Sequence, residues 1–254
     1  MRYRNLLKNL SNWWLYLAVK FGFRRDDPLT FRTRSGVVVE VPRRLLQTFK
    51  EIFMAECYCR GMNLPAVEKP VVIDISANAG YFTLFALSRM PGARTFSYEP
   101  IPANFNQLKR NLDLNPGQSA RAFQMAVAGQ PGTLTLAYDP SDAFTTSATV
   151  NAQANAATIQ VACTSLAEIF RGHKLDYCDL LKMDCEGAEY DILYNCPADV
   201  LTRIRQIAME VHGGTKPEHN IDSLEAYLRQ NGFETQRRPV GMLWADQSSL
   251  RRSR

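Results

Sequence analysis

The chain has 254 residues, of which 46% are hydrophobic and 22% charged, with a formal net charge of +5 and six cysteines. This composition is typical of a globular protein and excludes a disordered chain and an integral membrane protein; the length suits one domain with an N-terminal extension. The cysteines form no CxxC pair and no zinc-finger spacing with histidine, which favours reduced thiols and a cytoplasmic location.

The first predicted element is an amphipathic helix within residues 4–25. Five apolar residues recur there at helical spacing: Leu6, Leu10, Trp13, Leu17 and Phe21. Lys20 interrupts the apolar run, so the segment is too short to span a bilayer and is a poor signal peptide. The helix either caps the core or makes peripheral contact with the inner face of the membrane. We expect residues 1–69 to form an N-terminal cap that includes a hairpin over 31–42.

Strand and helix signals alternate from residue 71 onward, as in a mainly parallel sheet with helices on both faces. The predicted strands are 71–74, 93–100, 121–128, 133–138, 159–164, 177–184, 203–212, 233–238 and 240–246. The predicted helices are 81–87, 102–115, 165–170, 186–195 and 223–232. Residues 139–158 are predicted to be an irregular excursion. The domain is therefore expected over 70–246, followed by a basic tail at 247–254.

The turn DISANAG, residues 74–80, joins the first strand of this domain to its first helix and is a candidate ligand site. Small residues let the backbone approach a ligand, and the free amides at the start of the helix favour an anionic group. Glu99 ends the second strand, where it is placed to accept both hydroxyls of a ribose. Together, these features predict a nucleoside-bearing cofactor.

The same turn argues against cofactors that carry phosphate. A dinucleotide site needs GxGxxG, whose second glycine admits a pyrophosphate, but this turn has Ser76, Asn78 and only Gly80. The turn also lacks the lysine followed by Ser or Thr of a P-loop. S-adenosylmethionine has a ribose and an adenine but no phosphate, so it is the cofactor that fits best.

The chain resembles a known family in four segments: DISANAGYFT, SYEPIPANFNQLKRNL, LLKMDCEGAEYDIL and IAMEVHG. These look like successive motifs of the FkbM-type S-adenosylmethionine-dependent methyltransferases, chiefly through the combination of EPxPxNF with KxDxEGAE. The resemblance covers roughly residues 70–245. It implies an α/β, Rossmann-like fold with a seven-stranded, mainly parallel sheet and an antiparallel last strand. It also implies methyl transfer to a hydroxyl of a sugar, glycan or secondary metabolite.

The resemblance further implies the residues of the cofactor site, which are Asp74, Ser76, Ala77, Asn78, Gly80, Tyr81, Glu99, Pro100, Ile101, Asn104 and Ala126. Asp74 and the turn after it would cradle the amino-acid end of the cofactor, and Glu99 would hold the ribose. The adenine would lie beside Pro100 and Ile101, with Asn104 and Ala126 at its rim. Ser76 departs from the family, which usually has glycine at that position.

Acidic and histidine side chains at the ends of two later strands are the candidate catalytic residues. Methyl transfer is an in-line displacement that depends on positioning, and a base or a metal ion would assist a hydroxyl acceptor. We expect Asp184 or His212 to be the base, with Asp184 and Glu186 as candidate oxygen ligands for Mg²⁺. Alternatively, Glu186 and Glu189 only interact with a helix N-terminus, and His212 only caps its strand.

Two other functions fit parts of the pattern. A nucleic-acid base methyltransferase would use the basic chain ends on phosphates. That function is disfavoured, because the relevant strand ends in DCEG and not in Asn or Asp followed by two prolines and a stacking aromatic. A binding module without turnover is the other alternative, and Ser76 is its only support. A small-molecule or glycan acceptor remains the leading expectation.

Overall fold

A cap of short helices and one β-hairpin precedes the main sheet. The computed structural model describes residues 2–138 and 157–247. The elements of the cap are α1 (Arg2–Asn9), α2 (Trp14–Lys20), β1 (Leu29–Arg32), β2 (Val38–Val41), a 3-10 turn (Arg43–Leu45), α3 (Leu46–Lys50) and a π-helical turn (Glu51–Ala55). β1 and β2 pair antiparallel, which confirms the predicted hairpin.

The single helix predicted within residues 4–25 is two helices in the structure. Leu10 forms an isolated bridge with Thr33 of the hairpin, and the backbone N–H of Ser11 donates to the carbonyl of Arg32. The prediction was wrong because apolar spacing shows which residues share a face, whereas tertiary pairing decides where a helix is interrupted. Leu6 and Leu10 are fully buried, so this part of the cap belongs to the core.

The main sheet follows the cap. In chain order, the remaining elements are β3 (Val71–Ile75), α4 (Tyr81–Arg89), β4 (Arg94–Tyr98), α5 (Pro102–Asp113), β5 (Ser119–Phe123), β6 (Ala126–Val127), β7 (Gly132–Tyr138), β8 (Ala157–Thr164), α6 (Leu166–Gly172), β9 (Leu180–Met183), α7 (Glu189–Tyr194), α8 (Ala198–Leu201), β10 (Gln206–Glu210), α9 (Ile221–Gln230), β11 (Glu234–Arg237) and β12 (Met242–Asp246).

Seven of these strands form one sheet in the order β11-β12-β10-β9-β3-β4-β5. The last strand, β12, runs antiparallel to both neighbours, and the remaining neighbouring pairs are parallel. This confirms the predicted Rossmann-like α/β sheet. β3 and β9 are buried along their whole length, because central parallel strands are covered on both faces. Each is apolar except for one charged residue, Asp74 in β3 and Lys182 in β9, and these two pair with each other.

Several predicted boundaries differ from the structure, three of them just beyond the carboxyl ends of strands in the main sheet. The strand predicted over 121–128 divides after Phe123, so β5 stays in the main sheet while β6 joins a small sheet of order β6-β8-β7. The helix predicted to begin at Glu186 begins three residues later, at Glu189, because Glu186 and Gly187 have φ angles of 52° and 101°, which an α-helix does not accept.

The third difference is that β10 ends at Glu210 and not at His212. A short helix, α8, was not predicted. Most of the excursion predicted over 139–158 and of the basic tail predicted over 247–254 lies outside the described residues. The last two residues of the predicted excursion, Ala157 and Thr158, belong instead to β8.

Polar side chains of α5 connect the cap to the main sheet. The backbone N–H of Glu40 donates to Asn111 Oδ1 and that of Val38 donates to Asn115 Oδ1, both at 2.8 Å. Asn111 Nδ2 also donates to the carbonyl of Ala79 at 2.8 Å, inside the DISANAG turn. The hairpin of the cap is thereby attached, through one helix, to the turn that follows β3.

The order of the strands places a crevice beside β3. The chain adds β4 and β5 on one side of β3, then returns to add β9 and β10 on the other side. At such a reversal, the connections leave the carboxyl ends of neighbouring strands in opposite directions and open a gap where ligands bind. The turn after β3 and the residues after β9 flank this gap.

A candidate active site at the carboxyl ends of the strands

A cavity of about 460 Å³ lies at this reversal of strand order. That volume is within the range of small-molecule sites. Most of the predicted site residues lie on its wall: Ser76, Ala77, Asn78, Tyr81, Glu99, Pro100, Ile101, Asn104, Asp184, Glu186 and His212. The fold thus brings the predicted cofactor residues and the predicted catalytic residues into one cavity.

Glu99 is held at the end of β4 by two backbone amides. Its Oε2 accepts the N–H of Asn78 at 2.8 Å, and its Oε1 accepts the N–H of Ile101 at 2.9 Å. Burial raises the pKa of Glu99 to about 7, although these two hydrogen bonds act in the opposite direction. Nδ2 of Asn104 also donates to Oε1, in a long contact of 3.5 Å. A carboxylate oxygen has two lone pairs, so Oε2 can accept a further hydrogen bond from a ligand, and Oε1 can do so in place of Asn104.

The turn after β3 contains two residues other than glycine in the left-handed region. Ser76 has a φ of 55° and Asn78 a φ of 50°. Asn tolerates this region better than most residues, whereas Ser has no such advantage. The conformation gives a physical reason why glycine is usual at position 76 in the family that the sequence resembles.

Asp74 lies behind this turn and not on the cavity wall. It is fully buried, and its Oδ1 lies 3.2 Å from Nζ of Lys182. Lys182 also donates to the carbonyl oxygens of Ile75 and Ser76, at 3.1 Å and 2.8 Å. Burial acts to lower the pKa of Lys182, but the combined attraction of Asp74, Asp184 and Cys185 outweighs it and the pKa is raised. Direct contact of Asp74 with a cofactor does not fit this position; the pair supports the turn instead.

Gly80 and Ala126 are two further predicted residues that do not reach the cavity wall. A Cβ atom on Gly80 would lie 2.5 Å from Cδ1 of Leu108, so this glycine lets α4 pack against α5. Its φ of 82° also favours glycine. Ala126 is buried in a small apolar cluster with Ile101. Both residues have a packing role in this structure.

The opposite end of the cavity is rich in carboxylates. Nε2 of His212 lies 3.8 Å from Oδ1 of Asp184 and 3.8 Å from Oε2 of Glu186. The hydroxyl of Tyr58 donates to Oδ2 of Asp184 at 2.6 Å. Burial raises the pKa of both Glu186 and Glu210. The protonation states of Glu186 and Glu210 therefore depend on burial and on the neighbouring charges of Asp184 and His212.

His212 is positioned by the first residue of α7. Glu189 is fully buried, and its Oε1 lies 3.1 Å from Nδ1 of His212. The same carboxylate accepts the backbone N–H groups of Cys185 and Gly187, at 2.8 Å and 3.0 Å. The hydrogen bond with Glu189 raises the pKa of His212 to about 9. Glu189 thus does more than interact with a helix N-terminus: it places the ring proton on Nδ1 and leaves Nε2 facing the cavity.

Asp184, Glu210 and His212 form a group that could hold a metal ion. One ligand atom from each lies within 4.8 Å of the others. Carboxylate oxygens with an imidazole suit divalent ions such as Mg²⁺ or Mn²⁺. This trio differs from the predicted pair of Asp184 and Glu186. Glu210 was not predicted as a site residue. It lies two residues before His212 in the predicted strand 203–212, and that spacing places residues on one face of a strand.

Residues of the cap complete the cavity wall and were also missed. Arg44, Thr48, Glu51 and Tyr58 line the cavity beside the strand ends. The first three come from a succession of a 3-10 turn, a short α-helix and a π-helical turn, and Tyr58 lies in the turn that follows. Such a succession has no single period of apolar residues, so the sequence contains little signal for it.

Comparisons with known proteins found similar methyltransferases. Among solved structures, the chain is similar to magnesium protoporphyrin IX methyltransferase (ChlM) from Synechocystis PCC 6803 with bound SAM. The two sequences are 13% identical, the alignment covers 80% of this chain and 79% of that chain, and the TM-score is 0.42. Among curated proteins, it is 29% identical over 220 residues to methyltransferase sdnD of Sordaria araneosa, covering 74% of this chain and 82% of that protein.

The chain is also 26% identical over 214 residues to the 31-O-demethyl-FK506 methyltransferase FkbM of Streptomyces tacrolimicus, covering 73% of this chain and 80% of that protein. The model of the methyltransferase FkbM domain matches residues 74–235, which is more than half of the chain. The resemblance seen in the four sequence motifs is thereby confirmed. The chain belongs to the FkbM methyltransferase family.

Proposed function

We propose that the chain is an S-adenosylmethionine-dependent O-methyltransferase that acts on a hydroxyl of a sugar, glycan or secondary metabolite. One observation carries this proposal: a single cavity has the Glu99 carboxylate at the end of β4 and the His212–Asp184 pair beyond β10 and β9. The first group suits a ribose, and the second suits an acceptor that must lose a proton.

The cofactor end has the polar groups that S-adenosylmethionine requires. Oε2 of Glu99 has a free lone pair for one ribose hydroxyl, and Oε1 can accept the other in place of its long contact with Asn104. The hydroxyl of Tyr81, on the cavity wall, is buried and has no hydrogen-bond partner among the residues that the structure describes. A polar group of the ligand would satisfy it, which a buried hydroxyl requires. When bound, the cofactor supplies an electrophilic methyl group on a sulfonium.

The acceptor end has groups that can take a proton from a hydroxyl. With a pKa of about 9, His212 is mostly protonated at neutral pH, so it becomes a base only when the site loses that proton. Asp184 lies beside it and already accepts a hydrogen bond from Tyr58. We therefore treat Asp184 and His212 as one proton-accepting pair. A divalent ion bound by Asp184, Glu210 and His212 is the alternative way to acidify the hydroxyl.

The relatives support a hydroxyl acceptor. The Streptomyces tacrolimicus protein is named as a methyltransferase of 31-O-demethyl-FK506. The name of that compound says that one of its oxygens lacks a methyl group. The carboxylates of Glu186 and Glu210 at the cavity wall also favour neutral acceptors over anionic ones, because like charges repel in a partly buried site.

The direct test is transfer of labelled methyl groups from S-adenosylmethionine to a panel of sugars, glycans, polyketides and RNA, analysed by mass spectrometry. We expect Asp184→Asn and His212→Gln to bind the cofactor but to lose turnover by about a hundredfold or more, as general bases do. Asp113→Asn, an exposed carboxylate on α5, is the matched control. Full activity in both cavity variants would refute the catalytic pair, and methylated RNA would favour the nucleic-acid alternative.

The metal alternative is tested in the same assay with a chelator. If the trio holds a divalent ion, chelation should abolish turnover, Mg²⁺ or Mn²⁺ should restore it, and Glu210→Gln should weaken that restoration. If turnover is the same with and without the chelator, proton removal is assigned to Asp184 and His212 alone.

A further inference from the structure

Large apolar side chains are exposed at the N-terminal helices of the cap. The described residues contain seven exposed large hydrophobic side chains, and five of them lie between residues 3 and 23. These five, with their exposed fractions, are Tyr3 (47%), Leu7 (44%), Trp14 (50%), Phe21 (64%) and Phe23 (82%). Single exposed apolar residues are ordinary, but such a concentration indicates a surface that contacts something else.

The exposed residues of α2 lie opposite its core-facing side. Leu15 and Val19 pack on the core, whereas the exposed Trp14 and Phe21 and the half-buried Leu17 recur three and four residues apart, on the other side of the helix. The backbone N–H of Phe21 donates to the carbonyl of Leu17 at 2.9 Å, so the helical path continues to this residue.

Tyr3 extends this surface onto α1. Nζ of Lys20 contacts the Tyr3 hydroxyl at 2.5 Å and lies 5.7 Å from the centroid of the Phe21 ring. We call Tyr3, Trp14, Phe21 and Phe23 the aromatic face.

The segment that carries the aromatic face is basic, although Lys8 and Arg24 pair with Glu56 and Asp26, at 3.8 Å and 3.5 Å. Residues 1–25 contain six basic residues and no acidic residue: Arg2, Arg4, Lys8, Lys20, Arg24 and Arg25. All six are exposed. Because the whole chain has a net charge of +5, the remainder of the chain is close to neutral. The positive charge of this protein is therefore largely placed beside its exposed aromatic rings.

We propose that the aromatic face docks on the surface of an anionic membrane, with α1 and α2 lying in the interface. Tryptophan and tyrosine favour the headgroup level, phenylalanine reaches the acyl boundary, and the surrounding cations meet lipid phosphates. Within residues 2–138 and 157–247, every helix is too short or too polar to cross a bilayer. The helices therefore rest on the membrane, which was the second of the two roles that the sequence allowed for this segment.

Two side chains of α1 contact the cap segment beside the catalytic cavity. Asn5 Nδ2 donates to the carbonyl of Met54, and Asn9 Nδ2 to that of Phe53, at 3.0 Å and 2.7 Å. Glu51 and Ile52, directly before these residues, line the cavity. α1 thus packs against the cap segment that forms part of the cavity wall.

The test is flotation of the full chain with vesicles, which needs no turnover and so is independent of the proposed reaction. Vesicles of equal parts phosphatidylcholine and phosphatidylglycerol should carry the protein, vesicles of phosphatidylcholine alone should carry much less, and added salt should release it. Phe21→Ser with Phe23→Ser should lower the partition coefficient by at least about tenfold. Removing the helices is unsuitable, because Leu6 and Leu10 are part of the core.

Val240→Ser is the matched control, since Val240 is 84% exposed and lies outside the cap. It should float like the parent chain, and both proteins should keep the parental thermal unfolding midpoint. Flotation of the Phe21 and Phe23 double variant equal to that of the parent overturns the proposal, as does equal binding to neutral vesicles. The parent chain could also fail to float while the double substitution dissociates a dimer or abolishes binding of single-stranded RNA. In that case the face has another partner and the proposal fails.

Discussion

Glu189 controls the charge of His212. It is a fully buried carboxylate that satisfies two backbone amides and holds Nδ1 of the imidazole. Because it raises the pKa of His212 to about 9, the neutral imidazole that a base requires appears only at alkaline pH. The sequence suggested only a helix N-terminal interaction for Glu189. In the structure, Glu189 sets the pH at which His212 can act as a base.

Glu189→Gln tests this role. The variant removes the negative charge, so the pKa of His212 should fall from about 9 toward its ordinary value of 6.5. If His212 is the base, the rising limb of the pH–rate profile should move to lower pH by the same amount. His212 titration by NMR checks the shift directly, with exposed Glu218→Gln as the control. A pKa that stays near 9 in the variant would show that Glu189 is not its cause.

The same pair makes a prediction about stability. A histidine whose pKa is raised by folding stabilises the native state fully below pH 6.5, and this contribution is lost as the pH rises through about 9. The free energy of unfolding of the parent chain should therefore decrease over this interval more than that of His212→Gln. Denaturant titrations at several pH values measure the difference, and parallel curves would contradict it.

Sequence reasoning at the residue scale identified which positions reach the edge of the sheet, but not where each side chain points. Glu99, Asp184 and His212 follow strand ends and do line the cavity. Asp74 also ends an apolar run, yet it lies under the turn because Lys182 on the neighbouring strand pairs with it. Pairing across strands is a tertiary fact, so the sequence pattern contains no sign of it.

At the scale of elements, the packing of α4 on α5 depends on Gly80. A methyl group there would meet Leu108, and the φ of 82° would strain any other residue. Gly80→Ala should therefore lower the free energy of unfolding by about 1–3 kcal/mol, as overpacked substitutions do. Gly117→Ala, where nothing lies within 4 Å and φ is not left-handed, is the matched control. Equal stability of the two variants in urea would contradict this packing.

Long, buried elements were predictable and short, irregular ones were not. β3 and β9 are buried and mostly apolar, with one paired charge each, and α5 has proline in its first turn. The start of α7 was placed three residues early because Glu186 and Gly187 are good residues for a helix N-terminus in the sequence, yet their left-handed backbone forms the loop that Glu189 caps.

At the scale of the whole molecule, the cap and the sheet share one core. Phe49 and Phe53 of the cap stack on each other, and they meet Tyr81 and Phe85 of α4 edge to face, with centroids 6.0 Å and 5.7 Å apart. This packing holds the cap residues that complete the cavity wall. The sequence predicted the cap but not its share of the site, because aromatic contacts between distant segments leave no periodic pattern.

The central claim is that this cavity binds S-adenosylmethionine through Glu99. Isothermal titration calorimetry at pH 8, above the pKa of about 7, tests it most directly. The parent chain should bind the cofactor, and Glu99→Ala should weaken binding by about 1.4 kcal/mol or more, a tenfold loss. Binding to the parent should also weaken below pH 7, as the carboxylate gains a proton. No binding by the parent chain, or equal affinity in Glu99→Ala, would contradict the account.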